Sequence, residues 1–561
     1  MAISARDSLL TASAISEAWR LRVVVFICGA SFMALEMAGV RILEPHFGST
    51  IYIWGAIIGI FLTALSVGYW LGGKLADRHP NLGALGLVIL AAAGLTFLVP
   101  LLADDLCRWL SGTEAKTMRI ADHRLRAVVA SLLLYAAPSA LLGMVSPFAL
   151  RLAARSLSGM GSVAGSLYAL STAGSIIGTF LVSFVLVEVM GSRHIIVSVG
   201  VALMAMGCLC LLPRWRGAGQ AAIAAVSVFF LGLGWGGLQR SRAAEERNAL
   251  RYLGGTQGKV LRLAESPYHY ISIIESDYNF VERETLPPGK RARYMLFNNQ
   301  IESGVVLDEA APSNPIQSAC GYTRLLHLGV IFTGKAPNRV LIIGCGGGVG
   351  PQEFIQDYGK AVKQLDVVDI DPQVFVLAHE FFRYPLSHPV IRSHSEDGRG
   401  FVARSRETWD YIVLDAYTSG GRIPRHLITR EFFTLIRQRL AAEGVLLANI
   451  ISSISGPQAR LFRAVYRTMS EVFGAEALYA FPRSRLGRSG ENIILVATMA
   501  VKPRLDYTAI QARYLALKGN LLKQKGLEDV VRLAMTTAPE GVDEAPLLTD
   551  DFCPTDSMVC E

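Results

Sequence analysis

Long apolar runs dominate the first part of the chain and stop near residue 240. Seven stretches hold enough apolar residues to form membrane-crossing helices, at approximately 21–43, 52–73, 84–103, 127–150, 162–188, 194–212 and 219–238. A helix rises about 1.5 Å per residue, so ~20 apolar residues cross a hydrocarbon layer of roughly 30 Å. Seven such runs cannot all be buried helices of one soluble core. The pattern therefore predicts a seven-span helical membrane domain over 21–240, after a polar tail over 1–20.

Beyond residue 240 the pattern becomes that of a soluble protein. Short β-rich segments over 254–306, separated by turn formers such as Pro287-Pro288-Gly289, predict a small antiparallel sheet. After Pro337, the buried strands RVLIIG, QLDVVDID, WDYIVLDAY and GVLLANII alternate with the helical runs PQEFIQDYG and PQVFVLAHEFF. This alternation predicts a doubly wound, Rossmann-like parallel sheet of the class I methyltransferase type. We divide this part into a juxtamembrane linker with a small β subdomain over 241–310, an α/β domain over 311–500 and a helical C-terminal extension over 501–561.

Composition supports the membrane prediction and narrows the choice of partners. Of the 561 residues, 52% are hydrophobic and 18% are charged, whereas soluble proteins usually carry about 25% charged residues. The net charge is +8, but no basic run is interleaved with aromatic residues, so we expect a lipid bilayer and no nucleic acid as partner. The eight cysteines are scattered, with neither paired C-x-x-C motifs nor histidine partners, and we predict no metal site.

A glycine-rich turn joins the first strand of the α/β domain to its first helix. Gly344, Gly346 and Gly348 lie in this turn, where missing side chains let the backbone approach a ligand. Asp369 and Asp371 end the next strand, and an acid at that place accepts hydrogen bonds from ribose hydroxyls. A glycine turn alone also serves ordinary strand-to-helix connections, but the two features together predict a nucleoside-binding crevice.

Further acids follow the later strands of the α/β domain. Asp397-Gly398 comes after the expected third strand, where a carboxylate can accept from an adenine amino group, and Asp415 ends the fourth. Each acid alone is more often a turn former or a helix cap. Their placement at successive strand ends favours a ligand site, because ligands bind at the carboxyl edge of such sheets. NAD and S-adenosylmethionine-type ligands both fit the glycine turn, and these two acids favour the second type.

The motifs resemble the spermidine synthases, the polyamine aminopropyltransferases, and in particular their membrane-fused branch. The resemblance covers about residues 255–480 and includes ESPYHY, VLIIGCGGGVG, VVDID, EDGRGF and YIVLDAY; IPRHLITREFF and LLTDDFCP look like the fused branch. It implies transfer of an aminopropyl group from decarboxylated S-adenosylmethionine to a putrescine-like amine, with release of methylthioadenosine. The donor would be a cosubstrate, with no tightly bound cofactor, and a homodimer is an open possibility.

The resemblance also implies roles for individual residues. Asp369 would hold the ribose and Asp397-Gly398 the adenine, while Asp415 would bind the attacking amine and take its proton. Such a base is needed because an amine is protonated near neutral pH and cannot attack until the proton is removed. Candidate substrate-binding residues are Tyr268, His269 and Gln300.

The chain departs from the family pattern on the amine side. The family's glycine loop usually carries an Asp where this chain has Gly347, and the second acid of the usual D-x-x-D pair is Thr418 here. His269 stands in place of the usual Gln, and Thr323-Arg324 in place of a His-Glu pair. A close charge pair contributes about 4 kcal/mol at an effective dielectric near 20. We therefore expect weaker putrescine binding.

Two alternatives and the orientation in the membrane stay open. Loss of the acid at Gly347 fits a transferase or lyase that acts on S-adenosylmethionine itself. A second alternative is a non-catalytic transporter or sensor for nucleosides or polyamines. It is consistent with the seven spans, with Glu36 inside the first of them, and with the GKLADR run at Gly73–Arg78, which resembles a loop of major-facilitator transporters. Basic residues are divided almost evenly between the two sides. Because the cosubstrate is cytosolic, we expect a multi-pass protein of the cell (inner) membrane with its soluble domain in the cytoplasm.

Overall fold

The chain forms two compact units, Met1–Arg247 and Asn248–Glu561. The computed structural model describes residues 2–48, 50–111, 123–154, 160–211, 218–251, 258–279, 284–298, 300–308, 315–418, 422–484, 490–499 and 504–559. The boundary predicted at residue 240 falls inside a helix that continues to Arg251. This helix continues because residues 239–251 are rich in Ala, Arg and Glu, which favour helix in or out of a membrane.

The first unit consists of helices. Their bounds are α1 (Ala2–Phe47), α2 (Ile51–Arg78), α3 (Leu82–Ser111), α4 (His123–Gly143), α5 (Val145–Ala153), α6 (Met160–Leu181), α7 (Val187–Val189), α8 (Ser192–Leu211) and α9 (Ala218–Arg251), with a π-helical turn between α6 and α7. Within the described ranges, seven helical stretches are long and apolar enough to cross a membrane, and each overlaps one predicted span. Gly174 and Gly178 let α6 approach α1 closely, since a Cβ there would lie 2.1 and 2.3 Å from backbone oxygens of α1.

A buried polar network joins α1, α3, α8 and α9. Asp104 is 3% exposed and accepts hydrogen bonds from Arg193 Nη2 at 2.7 Å and Ser241 Oγ at 2.9 Å. The Nε2 atom of His46 lies 3.3 Å from Asp104 Oδ1, and Arg193 also pairs with Glu245. A buried charge is tolerated when it is paired and hydrogen-bonded in this way. The network therefore fixes the ends of four helices relative to one another.

We expect the Asp104→Asn variant to be much less stable than the wild type. Removing one partner of a buried ion pair typically costs about 3–5 kcal/mol, and because Arg193 keeps Glu245 as a partner we expect the lower end of this range. The measurement is the fraction of protein that stays monodisperse in detergent after heating. Asp77→Asn is the matched control, because the Asp77–Arg151 pair is exposed and exposed pairs contribute roughly 0–1 kcal/mol. Equal heat tolerance of the two variants would contradict this role for Asp104.

The second unit begins with the predicted small antiparallel sheet. Its strands, in spatial order, are β1 (Gly258–Glu265), β2 (Tyr270–Ser276), β5 (Lys290–Phe297), β6 (Gln300–Asp308) and β7 (Gln317–Ser318). A separate pair, β3 (Tyr278–Asn279) and β4 (Glu284–Thr285), extends the turn between β2 and β5. The β5–β6 ladder is regular except for a bulge. Met295 pairs with Ser303 and Leu296 pairs with Ile301, so Glu302 is left as the extra residue of β6.

A seven-stranded sheet forms the core of the second unit. Its strands are β8 (Arg339–Ile343), β9 (Gln364–Asp369), β10 (Ile391–Ser395), β11 (Trp409–Leu414), β12 (Leu440–Ser452), β13 (Leu478–Pro482) and β14 (Glu491–Thr498). The order is β10-β9-β8-β11-β12-β14-β13. The five strands from β10 to β12 are parallel, which confirms the Rossmann-like prediction, whereas β14 and β13 add an antiparallel edge. The sheet is therefore mixed, because β13 and β14 run antiparallel to their neighbours at this edge.

Helices of the second unit connect these strands or follow the last of them. They are α10 (Val330–Thr333), α11 (Val349–Tyr358), α12 (Pro372–Phe382), α13 (Gly398–Arg404), α14 (Arg430–Arg439), α15 (Arg460–Phe473), α16 (Tyr507–Leu517), α17 (Leu527–Val531) and α18 (Thr555–Val559). The strand order reverses between β8 and β11, and ligands bind outside the carboxyl ends of the strands at such a point. The fold thus predicts a site beside the turns that follow β8 and β11.

Candidate active site

A cavity of about 190 Å³ opens at the carboxyl ends of β8, β9 and β11. Eight of the residues predicted from the sequence line it: Tyr268, His269, Gly344, Gly346, Asp369, Asp397, Gly398 and Asp415. Gly348, Asp371 and Gln300 are not among its lining residues. The cavity therefore combines the nucleoside-type motif with the acid predicted to act on an amine.

The glycine turn holds β8, β9 and β11 together at this edge. Gly344 N donates to Val368 O, and Asp415 N donates to Ile343 O, each at 2.8 Å. Gly344 has a φ of +102°, and a Cβ there would lie 2.1 Å from Asp415 O. Any side chain at this position would displace the backbone that carries Asp415. Gly348 acts differently, as the N-cap residue that directly precedes α11.

Asp369 is oriented by the backbone around it. Its Oδ2 accepts from Cys345 N at 2.9 Å, and its Oδ1 accepts from Asp371 N at 3.0 Å. Burial raises the pKa of Asp369 above its ordinary value, although these two hydrogen bonds oppose the shift. Each carboxylate oxygen has a further lone pair, so Asp369 can still accept hydrogen bonds from the hydroxyls of a ligand.

Asp371 is placed differently from the prediction. It is fully buried, its Oδ1 accepts from Gln373 N at 3.0 Å at the start of α12, and its Oδ2 accepts from Ser266 Oγ at 2.5 Å. The same Oδ2 lies 3.2 Å from His269 Nδ1. Its carboxylate does not reach the cavity, because Asp371 is fully buried and is the N-cap residue that precedes α12. Asp371 therefore positions His269.

His269 and Tyr268 lie at the opening contributed by the small sheet. The His269 ring is stacked on Phe297 with centroids 4.2 Å apart, and its backbone N donates to Ser266 Oγ at 2.9 Å. His269 is buried, whereas Tyr268 is 46% exposed. Both line the cavity. The histidine is thus rigidly held, and the tyrosine forms the rim.

Asp397 both caps a helix and faces the cavity. Its Oδ1 accepts from Gly400 N at 2.7 Å at the start of α13, and its Oδ2 lies 2.7 Å from His426 Nε2. His426 also lines the cavity and was not predicted. The helix cap holds one carboxylate oxygen of Asp397 and His426 holds the other, so the direction of this carboxylate at the cavity wall is fixed.

The C-terminal run LLTDDFCP lies beside this part of the site. Asp550 accepts two hydrogen bonds from the Arg399 guanidinium at 2.6 Å and one from Thr429 Oγ1 at 2.8 Å. Arg399 Nη1 also donates to His426 O at 3.3 Å. The end of the chain therefore holds the beginning of α13 and the backbone of His426 in place.

Asp415 has both carboxylate oxygens fixed. Asn449 Nδ2 donates to its Oδ1 at 2.8 Å, and the Tyr322 hydroxyl lies 3.1 Å from its Oδ2. Asn449 is in turn held by Asn492, whose Nδ2 donates to Asn449 Oδ1 at 3.1 Å. Burial raises the pKa of Asp415 to about 6, against the opposing effect of its two hydrogen-bond partners. A carboxylate with a pKa close to neutrality is suited to accept a proton during a reaction.

Glu302 is a fourth acid in the cavity, besides Asp369, Asp397 and Asp415, and it was not predicted from the sequence. Burial, together with the charge of Asp415, raises the pKa of Glu302 to about 8. Gln300, the residue predicted on this strand, instead pairs with Phe297 beside the β5–β6 turn. Strand alternation would place Gln300 and Glu302 on one face, but the bulge at Glu302 re-aims its side chain. Thr418, where a second acid was expected, donates its hydroxyl to Arg422 O at 3.1 Å.

Comparison with known proteins identifies the family. A spermine/spermidine synthase domain matches residues 319–499. The polyamine aminopropyltransferase of Vibrio vulnificus is 33% identical over 241 residues, which cover 42% of this chain and 75% of that protein. The chain belongs to the spermine/spermidine synthase family. The predicted family resemblance is thereby confirmed, and the matched domain is that of a transferase.

Other members of the spermine/spermidine synthase family match over fewer residues or at lower sequence identity. The polyamine aminopropyltransferase of Neisseria meningitidis is 26% identical over 187 residues, covering 33% of this chain and 67% of that protein. The crystal structure of spermidine synthase from Thermotoga maritima aligns with a TM-score of 0.35 at 18% identity, over 49% of this chain and 82% of that chain. The family assignment comes from the sequence matches.

Proposed function

We propose that this chain is a multi-pass membrane aminopropyltransferase of the spermidine synthase type. It transfers an aminopropyl group from decarboxylated S-adenosylmethionine to a primary amine such as putrescine and releases methylthioadenosine. The observation that carries the proposal is Asp415, a fixed carboxylate of raised pKa in the same cavity as Asp369 and Asp397. The apolar helices of the first unit hold the enzyme in the cell membrane, with the second unit on the cytoplasmic side.

In the proposed reaction the protein positions two substrates and moves one proton. Asp369 accepts hydrogen bonds from the ribose of the donor, and Asp397 accepts from its adenine. Asp415 takes the proton from the acceptor's ammonium group, and the freed nitrogen forms a bond to the aminopropyl carbon next to sulfur. The carbon–sulfur bond breaks, and its electron pair stays on sulfur, which leaves as the neutral thioether methylthioadenosine. Because sulfonium is a good leaving group, alignment of nitrogen, carbon and sulfur is the main remaining requirement.

The test is mass spectrometry of the purified full-length protein incubated with putrescine and decarboxylated S-adenosylmethionine. Parallel reactions contain S-adenosylmethionine as donor or lack the acceptor. We expect methylthioadenosine and spermidine in equal amounts. Methylthioadenosine without spermidine would point to another acceptor or to a lyase, and no product with any donor would reject the proposal.

We expect kcat to fall as the pH is lowered through about 6. Asp415 must be ionised to accept a proton, and burial raises its pKa to about 6, so the active form is lost below that pH. The measurement is kcat at saturating substrates between pH 5 and 9, with kcat/KM for each substrate recorded in parallel. A kcat that stays constant down to pH 5 would contradict a base of raised pKa.

A further inference from the structure

We infer that Glu302 binds the ammonium group of the donor's aminopropyl arm and thereby selects decarboxylated S-adenosylmethionine over S-adenosylmethionine. This inference deepens the proposed function and rests on it for the identity of the donor. It assigns a specificity-determining role to a residue that interrupts the regular pairing of β6.

The side chain of Glu302 faces the cavity without a protein partner in the described part of the chain. The bulge removes this residue from the β5–β6 ladder, and Glu302 lines the cavity together with Tyr322 and Asp415. Its backbone oxygen, not its carboxylate, lies 3.1 Å from the Tyr322 hydroxyl. Among the described residues, none donates a hydrogen bond to the Glu302 carboxylate. Glu302 is half-buried, and an acid shielded from bulk solvent in this way is expected to have a partner when the ligand is present.

The bulge lies directly against the glycine turn. A Cβ at Gly346 would be 3.3 Å from Ser303 Cβ and 3.9 Å from Glu302 O. A Cβ at Gly347 would be 2.9 Å from Ser303 Oγ and from Phe382 Cδ1. The turn thus supplies no acid at Gly347, and a side chain there would require Ser303 or Phe382 to shift. Asp369 is held against the backbone of this turn, so Glu302 of β6 is the further acid that lines the cavity beside it.

This position favours the donor's arm over the acceptor amine. Asp415, fixed by Asn449 and Tyr322, is the group that receives the acceptor's proton. Glu302 adjoins the glycine turn, where the nucleoside of the donor binds in this fold. A cation held between the turn and Asp415 is therefore the ammonium at the end of the aminopropyl arm.

The same geometry disfavours S-adenosylmethionine. That molecule carries an additional carboxylate on the carbon next to its ammonium group, and this carboxylate would face Glu302 and Asp415 together. Like charges brought together in a desolvated site are strongly unfavourable, and discrimination often depends on such a repulsive contact. Asp415, together with Glu302 once an ammonium group has displaced the proton of Glu302, therefore attracts the decarboxylated donor and repels the carboxylated one.

Proton release provides an independent readout. The titratable groups that face Glu302 are Asp415, Tyr322 and Tyr417. With a pKa raised to about 8 by burial and by Asp415, Glu302 holds a proton in most free molecules at pH 7. An ammonium group stabilises the ionised form, so binding of the decarboxylated donor should release a proton into the buffer. Methylthioadenosine has no ammonium group and should release none from Glu302.

The experiment compares the full-length wild type with the Glu302→Gln variant by titration calorimetry. The ligands are decarboxylated S-adenosylmethionine, S-adenosylmethionine and methylthioadenosine. Each titration is repeated in two buffers of different ionisation enthalpy, so that the number of protons released on binding can be measured. We expect the wild type to prefer the decarboxylated donor over S-adenosylmethionine by about 100-fold, and the variant to lose most of this preference. Methylthioadenosine should bind both proteins equally. Glu302→Asp, which keeps the charge, should retain part of the preference, and Glu380→Gln, at an exposed acid of α12, should retain all of it.

Several results would overturn the inference. The first is a wild type that binds both donors equally, and the second is a Glu302→Gln variant that keeps the preference. The third is a Glu302→Gln variant that also loses affinity for methylthioadenosine, since this loss would indicate a structural role for Glu302. Binding does not depend on turnover. If Glu302→Gln abolishes the preference while the wild type transfers nothing to any amine, the proposed reaction fails and the role of Glu302 stands.

Discussion

The Asp415→Asn variant is expected to lose about 10²–10⁴-fold in kcat, which is the usual contribution of a general base. An amide has nearly the shape of a carboxylate but cannot take a proton from an ammonium group. Its oxygen could still accept from Asn449, and its nitrogen could donate to the Tyr322 hydroxyl, so both contacts of Asp415 have counterparts. The geometry of the cavity should therefore survive the substitution. Affinity for methylthioadenosine should remain within about 3-fold of the wild type, because its nucleoside contacts are unaffected.

The measurements are single-turnover rates and equilibrium binding of methylthioadenosine. Asp529→Asn serves as the matched control, because Asp529 is an exposed acid in the same unit whose nearest cation, Arg532, is 4.0 Å away. The control should turn over like the wild type. If Asp415→Asn also kept the wild-type rate, Asp415 would not be the base, and another acceptor for the proton would have to be sought in the cavity.

The Gly344→Ala variant is expected to lose about 3 kcal/mol or more of stability in the second unit, together with nucleoside binding. Two effects add at this position. A side chain disfavours the φ of +102°, and the new Cβ would lie 2.1 Å from the backbone oxygen of Asp415. The second effect is the larger one, because a backbone atom cannot rotate away as the end of a side chain can. To relieve the overlap, the ends of β8 and β11 must separate, and the cavity lies between them.

Gly359→Ala isolates the first of these effects. Gly359 also has a positive φ, +51°, but a Cβ there meets nothing within 4 Å. Its cost should therefore be limited to backbone strain, about 1 kcal/mol. Thermal unfolding in detergent, followed by tryptophan fluorescence, and methylthioadenosine binding would be measured for both variants. Equal stability losses in the two, with binding intact, would show that the contact between Gly344 and Asp415 does not constrain the site.

The division into an apolar helical part and an α/β part, and most of the nucleoside side of the site, could be predicted from the sequence. These features depend on local patterns. Span length follows from apolar runs, and strands and helices follow from their periods. The acids at strand ends could be placed because parallel strands bring their carboxyl ends to one edge. Asp369, Asp397 and Asp415 consequently meet in one cavity as predicted.

The arrangement of the amine side could not be predicted in the same way, because it depends on contacts between distant segments. Asp371 looked equivalent to Asp369 in sequence, but its buried carboxylate is held by Ser266 and His269 from the distant turn between β1 and β2 and does not line the cavity. Gln300 was predicted to bind substrate, but the residue of β6 that lines the cavity is Glu302. The reason is a single bulge, which changes the direction of a side chain and cannot be seen in the periodicity of the strand. Burial raises the pKa values of both Glu302 and Asp415, and the charge of Asp415, 113 positions further along the chain, raises that of Glu302 as well. Burial and long-range approach are properties of the folded chain, and no local pattern encodes them.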